Sequence, residues 1–329
     1  MPAFIQGRRS CKESFVTSNV MASTELLSRL WGGLTSSCRA PVAATIGGIP
    51  FDGGVGGRAG ASDGPRHLRH LSHRLKTISS RREDFSELVV RDRGDLVVPR
   101  IHLDKAIHAI REHFDALWST AGVHITIGGD HSITFPIIDA AQRSGGRWGV
   151  FWFDAHPDLL DRYLDASVSH GSPLRRVVTD AKIAPTDVLL IGARAYDKEE
   201  SAFLASSGLA EVPSWAFHAD FAAACSTAMR LAQSIAERVD HLYVTLDVDV
   251  LDPAYAPGTG TPVGGGLTTG QIIHLLRTLP TQKARGYDVV EYAPPLDTAE
   301  ITGQAILAIL SEILANISIA HPVTSGVRP

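Results

Sequence analysis

Three short stretches of the chain carry side chains able to hold metal ions. Residues 149–158, GVFWFDAHPD, run an apolar strand straight into Asp154, His156 and Asp158. Alternate residues of an extended segment point the same way, so these three groups can face one point. Residues 243–252, YVTLDVDVLD, repeat the device with Asp247 and Asp249. Two carboxylates at the dry end of a strand buried on both faces repel each other, and one is forced neutral unless a cation lies between them. Asp252, just before Pro253, suits a turn or cap instead. In residues 127–132, IGGDHS, the glycines permit a tight strand-to-helix turn. That leaves His131 at the start of a helix, with Asp130 or Ser132 available as its cap.

His131, Asp154, His156, Asp158, Asp247 and Asp249 together make four carboxylates and two imidazoles. A structural zinc prefers Cys and His in fours, so this set is too rich in hard anionic donors for one such ion. Mixed oxygen and nitrogen donors suit Mn²⁺, Ni²⁺, Fe²⁺ or Co²⁺, with Zn²⁺ also open. Shared carboxylates would hold two ions about 3.5–4 Å apart, the spacing at which a water is activated at neutral pH. The expected chemistry is metal-assisted hydrolysis.

The same residues lie where predicted strands end. Apolar, β-branched runs predict strands at 42–47, 88–91, 123–128, 149–154, 187–192, 241–247 and 286–291. Helical periodicity predicts helices at 64–75, 101–118, 132–144, 198–206, 221–239, 269–279 and 298–315. The alternation predicts an α/β fold, a mostly parallel sheet with helices on both faces. Ligand sites in such sheets form outside the carboxyl ends of the strands, so distant segments would converge on one crevice. The stretch HLRHLSHR at 67–74 reads as a basic helix face and not as a metal site.

Bulk composition narrows the class. The chain has 329 residues, 44% hydrophobic and 20% charged, with a net charge of −4, so nothing points to a nucleic-acid partner or to disorder. Cys11, Cys38 and Cys225 are widely spaced and form no CxxC pair, which fits a reducing compartment. No apolar run is expected to cross a membrane. Residues 1–40 are rich in Ser, Arg and Thr and read as an N-terminal extension, poorly ordered or an assembly arm; residues 41–329 read as one catalytic domain. The expected location is the cytoplasm, with mitochondrial targeting by the first forty residues as the alternative.

Four segments give the sequence a family resemblance: GGDHS at 128–132, DAHPD at 154–158, SHGSPLRR at 169–176 and DVDVLDPAYAPGTGTPVGGGLT at 247–268. In this order they resemble the ureohydrolases, the arginase and agmatinase superfamily, from about Val42 to the C-terminus. The resemblance implies a three-layer α/β/α sandwich holding two divalent ions per chain, Mn²⁺ first and Ni²⁺ as the alternative. It places one ion on His131, Asp154, Asp158 and Asp247, and the other on His156, Asp154, Asp247 and Asp249. It makes His170 a mobile proton-shuttling histidine, Asp158 an orienting group for water, and Glu291 the carboxylate that grips a guanidinium. The implied reaction is cleavage of a guanidino C–N bond in a small cationic substrate, releasing an amine and urea or a urea derivative.

The loop 159–169, LLDRYLDASVS, lacks the Asn residues that arginases place there, and the step from Asp158 to His170 looks agmatinase-like. The segment at 49–69 also resembles agmatinases, whereas Val263 and Tyr292 depart from them. Guanidinobutyrate, free guanidine or a substituted (bi)guanide such as metformin therefore stand as alternatives, the last two suiting a nickel enzyme. Arginase, formimidoylglutamase and a non-catalytic subunit are weaker alternatives. The resemblance further implies a homotrimer or homohexamer, or a hetero-oligomer with a paralogous subunit.

Overall fold

The computed structural model describes residues 29–35, 42–99, 102–163 and 165–321. Its apolar runs form eight strands: β1 (Ala44–Gly48), β2 (Val90–Asp95), β3 (Val123–Ile127), β4 (Trp148–Phe153), β5 (Val188–Ile191), β6 (Ala210–Val212), β7 (His241–Asp247) and β8 (Ala284–Val290). They join one sheet in the order β2-β1-β3-β8-β7-β4-β5-β6, and every pairing is parallel. All seven expected strands form within a few residues of their predicted bounds. The added one, β6, spans only Ala210–Val212, too short to leave a period-two run.

The helices are α1 (Gly64–Leu71), α2 (Leu103–Leu117), α3 (Thr134–Arg143), α4 (Pro173–Thr179), α5 (Lys198–Ser207), α6 (Ser214–Ala219), α7 (Phe221–Arg238), α8 (Thr269–Thr278) and α9 (Ile301–Ala320). Helices α4 and α6 were not predicted, because neither is long enough to show helical periodicity. The expected start at residue 101 lies outside the described residues. The segment predicted at 64–75 leaves the α-helix at Leu71 and closes in a 3₁₀ turn, Ser72–Arg74. There Arg69 pairs with Asp92 and Asp95, each at 2.8 Å, so the basic face is tied to β2.

Strand β4 shows how the layers arise. Phe151 and Phe153 point into one core with Val244, Leu246 and Val289, which α7, α8 and α9 cover. Val150 and Trp152 point into the other, with Tyr243 and Val290 under α2 and α3. Alternation of side chains at period two thus feeds two cores from one buried strand. One expectation needs correcting here: Thr298–Ala320 is long and apolar enough to cross a membrane, although 61% of its most apolar window is buried inside the protein. Its Glu312 is paired with Arg277, both nearly inaccessible, which marks α9 as a core helix.

Residues 29–35, placed on sequence grounds in the N-terminal extension, pack onto the domain. The Trp31 ring is fully buried, its indole N–H donates to Asp92 at 2.8 Å, and Thr35 bridges Val90. The rest of 1–40 lies outside the described residues.

The centre of the sheet positions the site. Strands β3, β8, β7 and β4 are consecutive neighbours, and their carboxyl ends deliver His131, Glu291, Asp247 and Asp154 to one edge. After β3 the chain must pass between β8 and the turn at 49–51. Gly128 N–H donates to Val289, Gly129 N–H to Ile49, and Asp130 N–H to Phe51. A Cβ on Gly129 would lie 1.9 Å from the Phe51 carbonyl oxygen, so only glycine fits. Gly129→Ala is expected to cost about 2–3 kcal/mol of stability through the backbone shift it forces. Chemical unfolding measures this, and a parental midpoint in the variant would refute the close approach.

Candidate metal centre

The six residues singled out for metal binding do meet, although two of the local geometries differ from the expected ones. Past β4 the chain does not continue extended. Asp154 Oδ1 accepts the His156 N–H at 2.7 Å, bending the chain, and Asp158 sits in the left-handed region at φ 55°. Asp154, His156 and Asp158 therefore converge through a strained turn and not through strand alternation. Past β7, Asp247 Oδ1 accepts the Asp249 N–H at 2.8 Å and caps the 3₁₀ turn Val248–Val250. Asp247, which the sequence argument separated from capping residues, thus caps its own turn as well. His131 stands at the expected place, its turn capped by Asp130, which accepts the Ser132 N–H at 2.9 Å.

The donor atoms gather in two groups: His131, Asp154 and Asp247, and Asp154, His156 and Asp249, each within 4.8 Å. Asp154 belongs to both. His131 Nδ1 lies 3.0, 3.1 and 3.2 Å from oxygens of Asp154, Asp158 and Asp247. His156 Nδ1 lies 3.1 Å from Asp249 and 3.5 Å from Asp154.

Electrostatics sets the terms for this cluster. Burial and the Asp154 charge push Asp158 well above the usual carboxylate range; burial, Asp249 and Asp154 do the same to Asp247. Burial also opposes ionisation of Asp154, but His131 and His156 hold it below its ordinary value. Burial disfavours charge on His156, yet Asp249 and Asp154 push it up to about 12. Four carboxylates this close cannot all ionise without positive charge among them.

A test of fit comes from the orphaned atoms. His131 Nδ1 and Asp158 Oδ2 are both buried and make no hydrogen bond, despite their closeness to each other. Nδ1 sits near three carboxylate oxygens with none along a usable hydrogen-bond direction. Oxygen and imidazole donors turned inward on one point, unsatisfied by any proton, are what a divalent cation requires. The residues fit the metal pair.

The other expected residues border the cluster. A cleft of about 270 Å³ is walled by His156, Asp158, Tyr163, His170, Tyr196 and Thr261, among others. His170 thus faces the same space as the metal-binding candidates. Burial opposes its charging, but Glu291, with Oε1 3.7 Å from Nδ1, pulls His170 up to about 9. Against this, the Gly56 N–H donates to His170 Nε2 at 3.0 Å, which only a bare Nε2 accepts. A cationic ring carries a proton on Nε2 and would have to give up this contact. Glu291 is 2% exposed, does not line the cleft, and accepts the His131 N–H through Oε1 at 2.8 Å. It too has a positive φ, 64°. Non-glycine residues held in that region cost about 1–3 kcal/mol and cluster at functional sites.

Four residues around the site were not foreseen. Trp152 stacks on His131 with centroids 4.4 Å apart and donates its indole N–H to Asp154. Thr245 lies 2.9 Å from His131 Nε2, and Thr261 donates to Asp249 at 3.2 Å. Arg194 pairs with no carboxylate among the described residues; its Nη2 instead donates to the carbonyls of Asp249, Leu251 and Val263. The first two read as strand core in the sequence and carry no mark of their own. The role of Val263 in this clamp uses only its main chain. Tyr292, also atypical by sequence, turns its hydroxyl to Asp297 at 3.1 Å and away from the cleft.

Comparison with known proteins follows the same lines. Residues 42–315 match the sequence pattern described as the arginase family. A guanidinopropionase of Pseudomonas aeruginosa is 36% identical over 284 residues, covering 83% of this chain and 87% of the relative. A human mitochondrial guanidino acid hydrolase is 32% identical over 325 residues, 94% of this chain and 90% of its own. Among solved structures, a hypothetical agmatinase of Burkholderia thailandensis superposes with a TM-score of 0.73 at 32% identity, covering 83% of this chain and 85% of the other.

Proposed function

The chain belongs to the arginase family and is a metal-dependent hydrolase of guanidino C–N bonds, and we propose that His131, Asp154, His156, Asp158, Asp247 and Asp249 hold its two divalent ions. The orphaned Nδ1 of His131 among three carboxylates is the observation that carries this reading. Four carboxylates against two imidazoles favour a hard, oxygen-loving ion, so Mn²⁺ is the metal proposed and Ni²⁺ the alternative. Bound there, the ions would lower the pKa of a water and supply a nucleophile at neutral pH.

The protein's own groups do the rest. Asp158, facing the cleft, orients the water and receives its proton. Glu291 lies behind His170 and outside the cleft wall. It would serve as the anionic acceptor for the planar guanidinium, whose parallel N–H groups a carboxylate matches, only where substrate reaches past that ring. As water adds to the guanidino carbon and the C–N bond breaks, His170 delivers a proton to the departing amine nitrogen. The products are an amine and urea.

The cleft also bears on the substrate's tail. Asp197 and Glu200 line it, and no Lys or Arg does among the described residues. Glu200 accepts the N–H groups of Leu159 and Asp197 at 2.9 Å each, and the two side chains form the capping box of α5, so two fixed carboxylates set the field there. A carboxylate tail finds no cationic partner here, whereas an ammonium tail finds a favourable potential. At an effective dielectric near 20, one charge about 8 Å away is worth about 2 kcal/mol, less in salt. The proposed substrate is therefore agmatine-like, an aliphatic guanidine with a cationic end.

Urea release by the Mn²⁺-loaded protein from agmatine, guanidinobutyrate, arginine, guanidine and metformin tests this. Agmatine is expected to show a kcat/KM about tenfold or more above guanidinobutyrate. A faster guanidino acid would overturn the tail assignment and favour the specificity of the guanidinopropionase relative. Urea from none of the five would overturn the substrate class.

A further inference from the structure

Arg194 joins three parts of the chain on which the site depends. Its Nε and both Nη atoms donate to five main-chain carbonyls, those of Gly192, Asp249, Val250, Leu251 and Val263, at 2.6–3.3 Å. Its own N–H donates to the Ala155 carbonyl at 2.8 Å, between Asp154 and His156. Gly192 follows β5, residues 249–251 form and leave the 3₁₀ turn after β7, and Val263 stands two residues past Thr261, a cleft-wall residue. Gly266 leaves room for the guanidinium: a Cβ there would lie 2.7 Å from Nη2 and 2.4 Å from the Asp252 nitrogen. Burial lowers the pKa of Arg194, while the charges of Asp249, Asp154, Asp252 and Asp247 favour the cation. A guanidinium drawn out of water and given only main-chain carbonyls is costly unless it holds something in place.

We infer that Arg194 is a positioning residue whose fork locks the Asp249 turn to the loop at 259–263, and so sets the ion held with Asp249 and the place of Thr261 in the cleft wall. The inference rests on the reading of Asp249 as a metal ligand. A planar guanidinium carries five N–H groups in one rigid plane, so the carbonyls bonded to it keep fixed places relative to one another. A lysine ammonium has three donors on a single atom and cannot span the same set. Asp249 and Val263 share Nη2, and between them Thr261 donates to the Asp249 carboxylate at 3.2 Å. The lock thus holds the turn and the loop on either side of that bond. Asp249 belongs to the donor group with Asp154 and His156, and not to that of His131, Asp154 and Asp247. Loss of the lock therefore falls on one ion of the pair. Groups that orient ligating residues carry about 10–100-fold in metal affinity.

The test is a Mn²⁺ titration of the metal-stripped protein by competition with a chelating dye, with stoichiometry from elemental analysis. Arg194→Lys keeps the charge and loses the fork. It is expected to weaken one of the two Mn²⁺ sites about 10–100-fold and to leave the other within about threefold of the parent. On an Asp249→Asn background, the ion that remains is expected to respond to Arg194→Lys by less than about threefold, which identifies the weakened site. With saturating Mn²⁺ and the fastest of the five guanidino compounds, the variant is expected to raise KM about threefold or more with kcat less affected, as a displaced wall does. Arg194→Gln stands in should Arg194→Lys fail to fold by circular dichroism. Parental Mn²⁺ affinity in the folded variant, equal weakening of both ions, further weakening on the Asp249→Asn background, or a fall in kcat at parental KM overturns the lock. Parental protein that takes up no Mn²⁺ or Ni²⁺ instead overturns the ligand reading on which it rests.

Discussion

Replacing Asp154 with asparagine is expected to give a folded protein that retains fewer than two ions and releases urea at less than about a thousandth of the parental rate. Asp154 is the one carboxylate present in both donor groups, so its loss weakens both ions together. Its two oxygens already accept the Trp152 indole N–H and the His156 N–H. An amide can satisfy only one of these with its oxygen and must turn its NH₂ against the other donor. The change also removes the charge that holds His131 and His156 in place. A metal-activated water is worth several kcal/mol of barrier, and about 4 kcal/mol corresponds to a thousandfold. Elemental analysis after gel filtration and a urea assay read both effects. Bound Mn²⁺ should raise the melting temperature of the parent and leave that of Asp154→Asn nearly unmoved, since only a tightly bound ligand stabilises by mass action. Two retained ions in the variant would remove Asp154 from its bridging place.

Much of this site was legible in the sequence because strand ends gather. His131, Asp154, Asp247 and Glu291 each follow an apolar run, and a parallel sheet brings the carboxyl ends of such runs to one edge. The side-chain directions were not legible in the same way. Period two predicted that Asp154, His156 and Asp158 share a face, whereas a bend at His156 and a left-handed Asp158 bring them together. A non-glycine residue at positive φ leaves no sequence mark, because the surrounding fold imposes it. Thr245 and Trp152 were invisible for another reason: both types belong in a β-strand, and only the neighbours reveal that they serve a histidine. Asp288, which accepts the Thr134 and Tyr243 hydroxyls, did carry a signal. A carboxylate inside the run Tyr287–Val290 of a doubly buried strand needs partners, and that need could have been read. The short elements β6, α4 and α6 escaped because each is too short for its period to repeat visibly.

The positive φ of both Asp158 and Glu291 suggests how the fold spends its stability. Each follows a strand of the central four, and each is held in the left-handed region. The hydrogen bonds that hold Glu291 there are its own N–H to Gly129 at 2.8 Å and the His131 N–H to its Oε1 at 2.8 Å. Glu291, the proposed guanidinium acceptor, and His131, a proposed metal ligand, are thus fastened to each other, so a change at one is felt at the other unless its shape is preserved.

Glu291→Gln preserves that shape and separates substrate binding from metal binding. The amide oxygen can still accept the His131 N–H, so both ions are expected to remain. The remaining position becomes an NH₂ donor facing a guanidinium that has only donors to offer. Losing a charge-assisted bond costs about 2–3 kcal/mol, or roughly 30–160-fold in kcat/KM for a guanidino substrate. The same change removes the charge that raises His170 to about 9, so its proton is lost at lower pH than in the parent. A raised histidine is charged below its pKa and neutral above it, so the alkaline limb of the rate should move to lower pH in the variant. Steady-state kinetics across pH, with metal content measured on the same samples, checks all three. Parental kcat/KM with an unmoved alkaline limb would take Glu291 out of the reaction, and loss of an ion would make it a brace for His131 alone.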